Sequence, residues 1–199
     1  MGAYLGATAV GIACSEGVVL ATDRRATYGS YIVSKKIKKT FPVTVNVGLA
    51  CAGLPSDFQR LAKYIRANIE LYMLELGIER VKVRTCARLL SNIMFGRRFS
   101  YPFITEIIVG GFDEEGGQIY TLDIVGSVIR EKYAAVGSGT QLAMGIMEKE
   151  YREDIKLEEC RELAVKSVKA AISRDVLTGD GVDLLIVDSK GYREELVKF

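Results

Sequence analysis

The feature that most constrains the fold is the order in which hydrophobic periodicity changes along the chain. The first third is strand-like. Thr8-Ala9-Val10-Gly11-Ile12-Ala13-Cys14 is followed by the hairpin signal Ser15-Glu16-Gly17 and by Val18-Val19-Leu20-Ala21-Thr22. Further strands are expected at Tyr31-Ile32-Val33 and from Val43 through Cys51. The period then becomes helical. Phe58, Leu61, Ala62, Ile65, Ile69, Tyr72 and Leu76 recur at three and four residues, on one face. Ser56 and Gln59 have the spacing of a capping box, and Gly77 is a natural stop. A second helix is expected from Val81 to Phe95, with Val83, Ala87, Leu90 and Met94 on one side. Strands return at Phe103–Phe112, Gln118–Ile124 and Ser127–Arg130, with a hairpin tip at Glu114-Glu115-Gly116-Gly117. Two helices follow, Gln141–Tyr151 and Leu157–Ser173, then strands at Val182–Val187 and Tyr192–Val197.

This order is not the strict strand–helix alternation of a doubly wound sheet. The strands are apolar almost continuously, as in sheets covered on both faces. Two antiparallel sheets packed together, with a helix pair on each outer face, bury every apolar face described. The expected class is therefore α+β, a four-layer αββα sandwich. No linker or repeat interrupts the 199 residues, which suit a single domain.

Composition narrows the chemistry. Lys and Arg number 27 against 25 Asp and Glu, which gives no electrostatic case for nucleic acid. The one dense basic cluster is Lys35, Lys36, Lys38 and Lys39. Histidine is absent, which excludes Ser-His-Asp and Cys-His catalysis and any zinc site built on imidazole. A base must come from lysine, aspartate or an amine. Cys14, Cys51, Cys86 and Cys160 share no CxxC spacing and lie in apolar stretches, so buried free thiols in a reducing, cytoplasmic compartment are expected. Met1–Gly6 is too short and uncharged for a signal peptide, and no apolar run reaches the ~18 residues of a membrane span.

Several segments carry a family resemblance. Gly6-Ala7-Thr8-Ala9-Val10-Gly11-Ile12 is similar to the Gly-Thr-Thr-Thr-Val-Gly-Ile opening of mature proteasome β-type subunits. Leu20-Ala21-Thr22-Asp23-Arg24-Arg25-Ala26-Thr27 resembles that family's Ala-Asp-Arg-Arg-Ala-Thr block, and Ser34-Lys35-Lys36-Ile37-Lys38-Lys39 the stretch with its catalytic lysine. Ala52-Gly53-Leu54, Ala135-Val136-Gly137-Ser138-Gly139 and Arg174-Asp175-Val176-Leu177-Thr178-Gly179-Asp180-Gly181 resemble three further turns, with Thr178 where serine is common. The matches span residue 6 to about residue 190 in the family's order. The long helical extension of α-type subunits does not precede them, so the resemblance is to the β type, archaeal-like in its minimal pro-segment.

The resemblance implies the N-terminal-nucleophile hydrolase fold and a threonine-type endopeptidase. It needs no cofactor or metal. A precursor cuts itself before a threonine, and the freed α-amine, with an ordinary pKa of ~7.7–8, serves as the base. Ala7 stands at that threonine's position. Asp23 and Lys39 are implied as the charged pair beneath the nucleophile, and Gly53 as the oxyanion donor. Ser138, Asp175 and Thr178 are implied around the terminal amine. Thr27 is implied to pair with an extended substrate, while Ala26, Ile37 and Cys51 line an apolar specificity pocket. Read without the family, these are turn residues, strand lysines and plain core.

Alanine has no hydroxyl, so the Gly6–Ala7 bond is expected to stay intact. Residues 1–6 then remain as an uncleaved pro-segment ahead of a domain at 7–199. Moving the nucleophile to Thr8 shifts the hydroxyl by ~3.3 Å and flips it to the opposite strand face. Two origins are open: an engineered block on maturation, or an inactive subunit beside an active partner. The implied partners are other β subunits in seven-membered rings, α-subunit rings, an ATPase cap acting through the α ring, and unfolded polypeptide, with no nucleic acid and no membrane. A third reading, another N-terminal-nucleophile hydrolase acting on small amides, uses the same architecture.

Overall fold

The computed structural model describes residues 6–198. Two five-stranded antiparallel sheets stack face to face. The first has the order β10-β1-β2-β11-β12, formed by Tyr133–Gly137, Thr8–Cys14, Gly17–Asp23, Val182–Asp188 and Gly191–Val197. The second has the order β5-β6-β7-β8-β9, formed by Thr40–Pro42, Val47–Gly53, Thr105–Asp113, Gly116–Leu122 and Val128–Glu131. A separate ribbon pairs β3 (Ala26–Tyr28) with β4 (Tyr31–Ser34). Helices α1 (Pro55–Leu76) and α2 (Val83–Arg97) cover the second sheet, and α3 (Thr140–Glu150) and α4 (Leu157–Ile172) cover the first.

Strand alternation explains the continuous apolar runs. In β1, Val10 and Ile12 face α3 and α4, where Met147, Leu163, Ala164 and Val168 meet them. Ala9 and Ala13 face the other sheet, beside Ala50, Ala52, Ile108 and Ile119. Both faces are dry, so both sets of positions must be apolar. The third apolar layer lies under α1 and α2, where Phe58, Leu61, Ile65, Leu90 and Met94 meet Leu49, Ile107 and Val109. The expected αββα sandwich is present.

The structure corrects several local expectations. The start of α1 is not a capping box at Ser56 and Gln59. Leu54 is the N-cap, Pro55 opens the helix, and no side chain caps it. Proline has no amide hydrogen to satisfy and its φ suits a first turn. The Ser56 hydroxyl turns instead to Asp57 Oδ1 at 3.2 Å. Tyr72 and Leu76, expected on the buried face, are 38% and 56% exposed, because the last turns of α1 outrun the core. Gly77 does end that helix, at φ 64°. The strand expected from Val43 starts only at Val47. Asn46 holds a turn there, its Nδ2 donating to the carbonyls of Val81 (2.8 Å) and Phe112 (3.0 Å). Helix α2 starts at Val83, where the amide donates to Asp113 Oδ2 at 2.9 Å, rather than at Val81. Three short strands, β3, β5 and β10, were not foreseen. All four cysteines are buried free thiols. Among the described residues, no helix is long and apolar enough to cross a membrane.

Candidate active site

β1 starts at Thr8, which places Ala7 at the mouth of the layer between the sheets, fully buried. β10 runs antiparallel beside it, pairing Thr8 with Gly137. Gly137 has φ 96°, and a Cβ there would lie 2.2 Å from the Ala7 carbonyl oxygen, so only glycine fits. The chain turns at Gly137 and presents Ser138 to Ala7. The Ala7 amide donates to Ser138 Oγ at 3.2 Å, and the Ser138 amide donates back to the Ala7 carbonyl at 2.9 Å.

The loop after α4 completes one side of the site. Asp175 Oδ2 accepts from Ser138 Oγ at 2.5 Å and from Thr178 Oγ1 at 2.6 Å. The Thr178 hydrogen is thereby committed, so in the 2.8 Å contact between Thr8 Oγ1 and Thr178 Oγ1, Thr8 donates. Asp175 Oδ1 accepts the Leu177 amide at 3.0 Å, which closes the turn on itself.

Asp23 ends β2 and sits directly beneath, with no exposed surface. Its Oδ1 accepts from the Thr8 amide at 3.0 Å and from Lys39 Nζ at 2.6 Å. Its Oδ2 accepts from the amides of Arg25 (2.9 Å) and Gly179 (3.0 Å). Four donors on one carboxylate make a buried charge tolerable. Lys39 is 2% exposed. Burial pushes its ammonium below the ordinary lysine range, against the pull of Asp23 and, more weakly, of Asp175 and Asp183.

The polar residues implied by the resemblance therefore converge. Asp23, Lys39, Ser138, Asp175 and Thr178 form one connected network on Ala7 and Thr8. Gly53 ends β6 at φ 121°, where a Cβ would lie 2.4 Å from the Ile104 carbonyl oxygen. Its neighbour Ala52 packs in the same layer as Ala7. The side chains of Ile37 and Cys51 pack in the layer beneath α1 and α2, while the Cys51 amide donates to the Lys39 carbonyl at 2.9 Å and the Ile37 amide to the Arg24 carbonyl at 3.1 Å; burial raises the Cys51 thiol above its ordinary range. Ala26 is half-buried and Thr27 is buried in the β3–β4 ribbon. Gly6 is buried, and a Cβ on it would lie 2.1 Å from Leu177 Cβ. Residues 1–5, the remainder of the expected pro-segment, lie outside the described residues.

Sequence reasoning missed two supports. Arg25 Nε donates to Asp180 Oδ2 at 2.8 Å and its Nη1 to the Val176 carbonyl at 2.9 Å, pinning the loop that carries Asp175 and Thr178. Its place beside Arg24 in the quoted block was the available signal. Glu106 Oε2 accepts the Gly137 amide at 2.9 Å and so fixes the Ser138 turn from β7. A lone glutamate in an apolar strand reads as a solvent-facing position, so no signal marked it.

A family described as "Proteasome subunit" matches residues 3–187. The chain is 46% identical to proteasome subunit beta 1 of Desulfurococcus amylolyticus, over 96% of this chain and 94% of the relative. The chain belongs to the proteasome β-subunit family. It is also 47% identical to proteasome subunit beta 2 of Thermofilum pendens, over 94% and 91% of the two chains. The identity to proteasome subunit beta 2 of Pyrobaculum aerophilum is 47%, over 98% and 95%. The family is one of threonine proteases.

Proposed function

We propose that this chain is a β subunit of a 20S-type proteasome core particle and that, as written, it neither processes itself nor hydrolyses peptides. One observation carries the reading: a connected network of acids, ammonium and hydroxyls, buried at Asp23, Lys39 and Thr178 and reaching solvent at Ser138, converges on a residue whose side chain is a bare methyl group. A threonine there would place its hydroxyl on the carbon that the network surrounds. Its freed amine would take the proton, with Ser138, Asp175 and Thr178 orienting that amine. The Lys39 ammonium, held by Asp23, would favour the alkoxide form, and the Gly53 amide would stabilise the developing oxyanion. Thr27 would pair with an extended substrate backbone, and Ala26, Ile37 and Cys51 would shape the apolar pocket for the residue before the cut.

With alanine, no oxygen attacks the Gly6 carbonyl. The Gly6–Ala7 bond persists, residues 1–6 stay attached, and no terminal amine is released. Phe99, Tyr101 and Leu74 are 87%, 84% and 79% exposed, apolar surface of the kind that subunit contacts cover. The implied assembly is seven-membered β rings stacked on α rings in the cytoplasm, with unfolded polypeptide as substrate and an ATPase cap on the α ring.

The test compares the assembled particle with its Ala7→Thr variant. The variant is expected to lose residues 1–6 and to cleave fluorogenic peptides, while the unaltered chain keeps its full mass and is silent. Comparable hydrolysis by the alanine form would overturn the reading. A second reading has one observation in its favour: the relatives carry the numbered names beta 1 and beta 2. On that reading this chain is a structural subunit beside a separate active β chain in mixed rings. Native mass spectrometry distinguishes the two by counting the kinds of β chain in the particle.

A further inference from the structure

A cleft of about 1070 Å³ lies at the end of β1 remote from Ala7. Tyr133 of β10, Met144 of α3 and Tyr151 line it, and so does Cys14, the last residue of β1. Cys160 stands behind Cys14 in the first turn of α4, in the same packed layer, and the two thiols are within hydrogen-bonding reach of each other. A second contact fixes this approach. The Leu157 amide, at the start of α4, donates to Glu16 Oε2 at 2.9 Å, so the helix end is fastened to the β1–β2 turn two residues beyond Cys14. Cys14 is 7% exposed at the cleft wall and Cys160 is fully covered.

We propose that Cys14 and Cys160 form an oxidant-sensitive dithiol that a small peroxide converts to a disulfide tying the end of β1 to the first turn of α4. The chemistry is asymmetric. The Cys160 thiol, against the opposing effect of burial, and then the amides of Glu16 and Gly17 hold the Cys14 pKa below the ordinary thiol range. Cys14 is the thiol of the pair that reaches the cleft wall, where a molecule the size of hydrogen peroxide can approach it. Cys160 is pushed well above the ordinary thiol range, first by that same contact and then by burial.

The steps balance with hydrogen peroxide as oxidant. Cys14 Sγ attacks one peroxide oxygen. An S–O bond forms, the O–O bond breaks, and hydroxide leaves to be protonated to water. The sulfenic acid no longer carries the negative charge that raised Cys160. Cys160 Sγ then attacks Cys14 Sγ. The S–S bond forms, the S–O bond breaks, and the Cys160 proton leaves with the departing oxygen as a second water. Two thiols lose two electrons, and one peroxide is reduced to two waters.

The experiment treats the purified full-length chain with hydrogen peroxide, quenches it, and maps peptides with and without dithiothreitol. The expected product is one linked pair of peptides holding Cys14 and Cys160, lighter by two hydrogens and separated by dithiothreitol. Cys51 and Cys86 should remain thiols, because burial pushes both up, Cys86 to about 12. Closing so long a loop should raise Tm on the order of 10 °C in the oxidised chain relative to the reduced one. Cys160→Ala should abolish that rise and leave Cys14 as sulfenic or sulfinic acid. If unaltered chain gives Cys14 sulfinic acid with no link to Cys160, or all four thiols survive a peroxide dose that oxidises a free-cysteine peptide, the proposal is wrong. The mapping uses the unaltered chain, so a folding defect in the variant does not obscure the result.

Discussion

The layer between the sheets and the layers beneath the helices are built from different residues. Under α1 and α2 the side chains are large: Phe58, Leu61, Ile65, Leu90 and Met94. Between the sheets small and large alternate: Ala7, Ala9, Ala13, Ala50, Ala52 and Ala134 stand among Leu20, Ile108, Ile119 and Leu185. Gly11 of β1 carries the pattern further, since a Cβ on it would lie 2.8 Å from Ile108 Cγ2 on the opposite sheet. Small residues let the sheets approach closely. That approach lets Lys39, which leads into β5 of the second sheet, put its ammonium on Asp23 at the end of β2 in the first. The outer layers supply burial, whereas the inner layer supplies proximity, and the site sits at its mouth.

The largest effect should come from breaking the link across that layer. Lys39→Met leaves Asp23 a buried carboxylate without its cation, a change that typically costs about 3–5 kcal/mol. Three backbone amides still serve Asp23, which places the expectation at about 3 kcal/mol by denaturant melts. A loss under about 1 kcal/mol would mean the pair does not hold the sheets in register. The pH dependence has a definite sign. Lys39 has its pKa lowered in the fold, so the unfolded chain binds the extra proton between that lowered value and about 10.4. The parent chain should therefore gain stability relative to Lys39→Met as pH climbs through that window, and the gap should level off above it.

Next in size is overpacking of the inner layer. Gly11→Ala places a methyl within 2.8 Å of Ile108 Cγ2 and 3.2 Å of Leu20 Cδ2. Both neighbours are fully buried, so the sheets must part or the side chains leave their rotamers. The expected loss is about 1–3 kcal/mol. A neutral result would show that the inner layer has slack, and the proximity argument would fail.

The two kinds of layer also differ in how far the sequence reveals them. The outer layers were legible, because helical periodicity selects Phe58, Leu61, Ile65, Leu90 and Met94 without other information. β1, β2 and β11 were legible as apolar runs. The short strands β3, β5 and β10 were not, because their residues become strand only by pairing with a partner distant in sequence. The site is the extreme case. Ser138 reaches Ala7 across 131 positions and Thr178 reaches Thr8 across 170. No local spacing encodes such contacts. Asp23, Lys39, Ser138, Asp175 and Thr178 were found through family resemblance, and Glu106, outside every quoted segment, was missed.

The smallest effect should have the opposite sign and comes from an outer layer. Gly145 lies on the exposed face of α3, and a Cβ built there meets nothing within 4 Å. Glycine in a helix interior costs about 0.5–1 kcal/mol relative to alanine, because the unfolded chain has more backbone freedom to lose. Gly145→Ala should therefore stabilise the isolated chain by about that amount, a Tm rise of about 1–4 °C. The chemical change is the same as in Gly11→Ala, the addition of one methyl. Only the surroundings differ: open solvent at Gly145, a facing sheet at Gly11. If both substitutions destabilised equally, backbone conformation rather than layer packing would govern these positions, and the contrast between inner and outer layers would lose its physical basis.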